Sequence, residues 1–123
     1  MKKLNTNYDK LAENVAKKAK ITIDHEFDRD VRPEGELMAD DAALVRKQLL
    51  RGNLWAWCVI TVTAELGDFA GTAVMGACSY KSKKDFVKCG YYEDMVAEAI
   101  DDLVNNIGET LDDLTDILDG VLS

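Results

Sequence analysis

From Tyr92 to the end of the chain, apolar residues recur at steps of three and four: Val96, Ile100, Leu103, Val104, Ile107, Leu111, Leu114, Ile117, Leu118 and Val121. Only an α-helix returns such positions to one side. The last third of the chain is therefore expected to form one long helix or two consecutive ones. Gly108 marks where it would split, since glycine inside a helix costs about 1 kcal/mol relative to alanine. Read as heptads, Ile100, Ile107, Leu114 and Val121 take the a positions, and β-branched a residues suit two-stranded packing. The stripe is wider than a strict seam. Residues 95–107 are thus expected to pack within the chain. Leu111, Leu114, Ile117, Leu118 and Val121 are expected to meet a partner helix, with a homodimer as one form of that pairing.

The same segment carries an unusual charge. Of 123 residues, 15 are Lys or Arg and 23 are Asp or Glu, a net charge of −8. All 15 cations lie within residues 1–88, and residues 89–123 hold ten acids. Those acids are Glu93, Asp94, Glu98, Asp101, Asp102, Glu109, Asp112, Asp113, Asp116 and Asp119. As one helix, residues 93–119 span about 40 Å, close to one charge per ~4 Å, against ~3.4 Å along a nucleic-acid strand. Acidic helix faces are common as solvated surface, but a face serving solubility alone usually mixes signs and gains i,i+4 pairs. This one forgoes them. The pattern points to a phosphate mimic or a docking face for a basic protein groove, with Asp101, Asp102, Glu109, Asp112, Asp113, Asp116 and Asp119 as contacts.

The rest of the chain alternates helix and strand signals. Residues 6–20 read as an amphipathic helix capped by Thr6 or Asn7, with Tyr8, Leu11, Val15 and Ala19 on one side. Residues 21–27 alternate as a short edge strand, and 28–36, with the single Pro33, read as an exposed loop. A second helix is expected over 38–51, capped by Asp40 and stopped by Gly52-Asn53. Residues 54–65 are aromatic and β-branched, the pattern of a strand. Gly67-Asp68 turns it into a second strand over 69–80, giving an antiparallel hairpin. Gly71 and Gly76 imply a bulge or a close backbone approach. Ser82 stands three residues before Asp85, a short capping-box signal, and Gly90 marks a break before the last helix.

Several classes are excluded or weakened. No apolar run reaches the ~20 residues of a membrane span. Met1-Lys2-Lys3 is followed by polar residues rather than an apolar segment, so a cytoplasmic site of action is expected. Cys58, Cys78 and Cys89 are odd in number and lack a C-x-x-C spacing, which favours reduced thiols acting as small hydrophobes. His25 is the one histidine, flanked by Asp24 and Glu26, without the second His or paired Cys of a metal site. Trp55, Trp57, Tyr80, Tyr91 and Tyr92 interleave with Lys81, Lys83, Lys84 and Lys88, a pattern that could stack bases. The net charge opposes it, and a hairpin core explains the aromatics. Phosphate-binding and hydrolase motifs are missing, so no enzyme and no cofactor are expected.

Three blocks carry a resemblance: Arg51-Gly-Asn-Leu-Trp-Ala-Trp-Cys58, Gly76-Ala-Cys-Ser-Tyr-Lys-Ser82 with Asp85-Phe86, and Gly90-Tyr-Tyr-Glu-Asp-Met95. Together they resemble small proteins of uncharacterised function encoded by tailed phages and other mobile elements. The resemblance covers roughly residues 42–104 and implies a phage accessory role, such as inhibition of host defence by an anti-CRISPR or anti-restriction protein. It implies no catalytic residue.

The expected fold is α+β. Two N-terminal helices precede an antiparallel hairpin or three-stranded sheet, and the acidic helical segment closes the chain. Residues 1–107 form the α+β domain and 108–123 an acidic amphipathic extension. The expected function is inhibition of a host nucleic-acid-binding complex by that acidic face, without direct contact with nucleic acid or membrane. A homodimeric assembly protein paired through the C-terminal helix is the alternative.

Overall fold

The computed structural model describes residues 8–122, apart from the side chain of Tyr8. The caps expected at Thr6 and Asn7, the Tyr8 side chain and Ser123 therefore lie outside the described residues. In chain order the elements are α1 (Tyr8–Lys18), β1 (Lys20–Phe27), α2 (Pro33–Glu36), α3 (Ala39–Leu50), a 3₁₀ turn (Leu54–Ala56), β2 (Cys58–Leu66), β3 (Phe69–Cys78), α4 (Lys83–Val87) and α5 (Gly90–Leu122). The architecture is α+β, with one three-stranded antiparallel sheet in the order β1-β2-β3.

The hairpin forms where Gly67-Asp68 places it. Gly67 takes φ 59° while Asp68 stays out of the left-handed region, the sign pattern of a II′ turn whose twist suits the flanking strands. β2 is buried on alternate residues: Cys58, Ile60, Val62 and Ala64 point into the core, and Val59, Thr61 and Thr63 point away and are half-buried. The core-facing row meets Val15 of α1 and Met95, Ala99, Leu103 and Val104 of α5. A smaller cluster at the other end of the sheet joins Val45 of α3 to Ala56 and Trp57.

Gly71 decides how closely α5 can lie on the sheet. A Cβ there would sit 2.7 Å from Leu103 Cα and closer still to Leu103 N and Ala99 O, so helix backbone rests directly on strand backbone. The contact is locked on either side of the glycine. Thr72 N–H donates to Asp102 Oδ2 at 3.0 Å, and Asn106 Nδ2 donates to the Ala70 carbonyl at 2.7 Å. Both backbone groups belong to the outer edge of β3, so one turn of α5 engages that edge with two side chains.

Several local expectations are revised. Leu54–Ala56 are not strand: Asn53 Oδ1 accepts the Trp55 N–H at 3.2 Å and winds a 3₁₀ turn, so β2 begins only at Cys58. Residues 28–36 are more than an exposed loop, because Asp28 and Pro33 are buried and α2 starts on that proline. Met38, not Asp40, occupies the N-cap position of α3, with no side-chain capping bond. The break before the last helix falls at Lys88 and Cys89, between α4 and α5, and Gly90 is the first residue of α5. Gly108 does not split the helix. It is buried, and α5 continues for 33 residues, so a boundary at 107/108 falls inside one helix.

Candidate functional site

The length of α5 creates its exposed surface. Thirty-three residues at ~1.5 Å each make a helix of about 50 Å. Strands of 8–10 residues reach roughly 30 Å. The helix therefore outruns the sheet by about 20 Å, and its sheet-facing side continues with no strand beneath it.

On that overhang the expected pairing row divides. Leu111 is half-buried. Leu114, Ile117, Leu118 and Val121 are exposed at 50%, 61%, 47% and 75%, fractions large enough to leave the row open to a partner. At about 100° per residue these four fall in an arc of roughly 100°. Val104, Gly108 and Thr115 are buried on another side of α5, where Thr115 Oγ1 donates to the Leu111 carbonyl at 2.9 Å. A polar residue is thereby buried without an unpaired hydroxyl.

The acids divide as well. Asp101, Glu109, Asp113 and Asp116 are exposed, and by the same ~100° step they share an arc of roughly 120° on the side of α5 largely opposite the apolar row. Asp112 is half-buried, and Asp119 is half-buried and already engaged in a polar contact. Asp102 is not available as a partner contact, because its carboxylate holds the Thr72 amide. Ion pairs that stabilise other elements, Lys17–Glu13 at 3.4 Å and Arg46–Glu34 at 2.7 Å, lie off α5. The Arg46 fork takes both Glu34 oxygens and lowers that carboxyl to about 2.

The other candidates resolve into structure. Trp55 and Trp57 are buried at 9% and 1% exposure, which removes them as a base-stacking platform. Trp57 Nε1 donates to the Val31 carbonyl at 2.8 Å, and Phe86 sits among Trp55, Tyr80 and Tyr92 with ring centroids 5.2–6.0 Å away. His25 stacks on Trp55 at 4.1 Å. Among the described residues, no group of three His, Cys, Asp or Glu side chains is placed to hold a metal ion. No helix of the described residues is long and apolar enough to cross a membrane.

Cys58 and Cys78 are cross-strand neighbours. Burial pushes their thiols up to about 12 and about 11, so both stay protonated and weakly nucleophilic. Cys89 Sγ contacts the Tyr80 hydroxyl at 3.5 Å. An open cleft of about 590 Å³ between α3 and the segment after β3 is lined by Leu44, Val45, Gln48, Asn53, Tyr80 and Lys81, among others.

One polar centre was not read from the sequence. Asp28 is 2% exposed and accepts three backbone N–H groups: Ala77 at 2.8 Å, Asp30 at 3.0 Å and Val31 at 3.2 Å. The Ala77 amide, followed by those of Asp30 and Val31, outweighs burial and holds its carboxyl below the usual value. Ala77 sits at the bulge opposite Cys58–Ile60 with φ 52°, which Asp28 helps to maintain. The only sequence signal was an acid opening a turn before Pro33, a common pattern on surfaces.

No protein-family model matches the chain, and neither a curated protein nor a solved structure matches it.

Proposed function

We propose that the chain is a non-enzymatic inhibitor that seats α5 in a basic groove of a host nucleic-acid-binding complex, in the manner of phage proteins directed against CRISPR effectors. The observation that carries this reading is the overhang of α5. It presents Leu114, Ile117, Leu118 and Val121 on one side, with Asp113 and Asp116 on the far side and Glu109 and Asp101 extending that acidic side back over the sheet. The apolar row supplies area, and the acids supply long-range attraction to a Lys- and Arg-lined channel and exclude nucleic acid from it.

Pairing of two copies through the same row is less favoured. It would bring two segments that each hold ten acids and no Lys or Arg side by side. The buried, protonated Cys58 and Cys78 and the structural aromatics support a non-enzymatic reading.

The test is affinity capture from host lysate at ~50 mM and ~500 mM salt, using the wild type and a variant with Asp101, Glu109, Asp113 and Asp116 all changed to Lys. The expected result is a nucleic-acid-binding complex recovered at low salt, displaced by its own nucleic acid, and lost both at high salt and with the variant. Equal capture by the variant, or recovery of the chain alone, overturns the proposal. Circular dichroism of the variant checks that α5 is retained.

A further inference from the structure

The two edges of the sheet are not equivalent. The outer edge of β3 is engaged at Ala70 and Thr72 by Asn106 and Asp102. Because Ala70 and Thr72 point their backbone groups outward there, Gly71 and Ala73 must bond inward to β2. Their partners Ala64 and Val62 therefore bond toward β3, and Glu65, Thr63, Thr61 and Val59 bond toward β1. Those four pair with Lys20, Thr22, Asp24 and Glu26. It follows that Ile21, Ile23 and His25 of β1 direct their N–H and C=O groups away from the sheet. Among the described residues nothing bonds them.

A long open edge is a template for another strand. Natural edges are commonly blunted by proline or by like charges. β1 has neither. Its charged side chains, Lys20, Asp24 and Glu26, are arranged so that a second copy of the same strand complements them. With an antiparallel copy centred on Ile23, Ile23 faces its own equivalent and Ile21 faces His25. Lys20 faces Glu26, and Thr22 faces Asp24. Ile21, Ile23 and His25 are the residues with outward backbone groups, so the hydrogen-bonded positions fall where free donors and acceptors already stand. Lys20–Glu26 and Thr22–Asp24 fall at the non-hydrogen-bonded positions, where opposed side chains approach most closely. The two-fold axis repeats each pair, giving two Lys–Glu contacts and two Thr–Asp contacts. Odd-numbered residues stay on the core side in both copies, so no side chain is turned to the wrong face.

We propose that β1 is a self-association edge: two copies of the chain join antiparallel about Ile23 to form one six-stranded sheet, β3-β2-β1-β1-β2-β3. This interface is separate from the α5 overhang and does not depend on the function proposed for it.

Sedimentation equilibrium of the purified chain tests the proposal, with Lys20→Glu, Glu26→Lys and the double reversal as variants. The expected wild type is a dimer at ~100 µM, each single reversal weakens it by about tenfold, and the double reversal restores it to within about threefold. Ile23→Pro removes an outward N–H and part of the Ile23 contact with the core, and is expected to give a less stable but folded monomer, because proline is tolerated on the open side of an edge strand. A wild type that is monomeric at ~1 mM overturns the proposal. So does a dimer insensitive to the single charge reversals, or one dispersed by Leu114→Asp with Leu118→Asp.

Discussion

Replacing Gly71 with Ala puts the contact between α5 and the sheet to a direct test. Elsewhere this exchange stabilises a protein by about 0.4–1 kcal/mol, since alanine restricts the unfolded chain. Here the added methyl would meet Leu103 Cα at 2.7 Å and the backbone N of Leu103 and O of Ala99 more closely still. None of these is the mobile end of a side chain, so α5 must withdraw by roughly 1 Å to reach ordinary contact. That movement breaks the 3.0 Å Thr72–Asp102 bond and the 2.7 Å Asn106–Ala70 bond. Losing one charge-assisted and one neutral bond costs about 2–3 kcal/mol, and loosened packing adds about 1–3 kcal/mol. The total, about 3–6 kcal/mol, is a large share of the ~5–15 kcal/mol that holds a domain folded. Urea denaturation followed by fluorescence of the buried Trp55 and Trp57 would measure it. Gly35→Ala, which meets nothing within 4 Å, serves as the control. A Gly71→Ala midpoint within error of wild type would show that the helix does not rest on the strand backbone.

Asp28→Asn should cost about 2–4 kcal/mol, because an amide nitrogen would face one of three backbone donors. The carboxyl's folded pKa lies below its unfolded one, so its contribution is full above the ordinary value of 3.8 and fades as pH falls through the depressed value. The gap between wild type and Asp28→Asn in denaturation midpoint should therefore narrow on acidification; a gap constant with pH refutes the assignment. Arg46→Ala should return the Glu34 carboxyl from about 2 toward 4.5, read by NMR titration, and an unmoved midpoint would contradict the bidentate contact. In native protein, alkylation should reach Cys89 first and leave Cys58 and Cys78 unmodified, as mass spectrometry of the labelled peptides would show. Rapid labelling of Cys58 would contradict its burial.

Local chemistry made much of this fold legible. The three-and-four spacing after Tyr92 specifies α5, Gly67-Asp68 specifies the hairpin turn, and Ser82 accepts the Asp85 N–H at 3.3 Å as the first residue of a capping signal should. Each of these depends on neighbours a few residues away, where the backbone's own preferences decide. Gly71 was readable as a close approach, although not the element approaching it. The acid-rich, cation-free composition of the last third was equally plain.

Long-range pairing decided the rest. Asp101 and Asp102 are adjacent and chemically the same, yet only Asp102 meets the Thr72 amide, because helix phase and the seat on Gly71 turn it to the strand edge. Asp28 is buried because Ala77, 49 residues away, supplies an N–H at the bulge. Trp55 and Trp57 look like alternating strand residues, but an Asn53 cap and a bond to Val31 draw them out of the ladder. Which apolar residues of α5 are covered follows from a helix longer than the strands beneath it, a comparison of two lengths that a periodic pattern does not contain. Local spacing and composition specify α5, its charge and the hairpin. Tertiary contact alone determined which acids, which leucines and which strand edge remain open, because burial depends on partners that sequence spacing leaves unspecified.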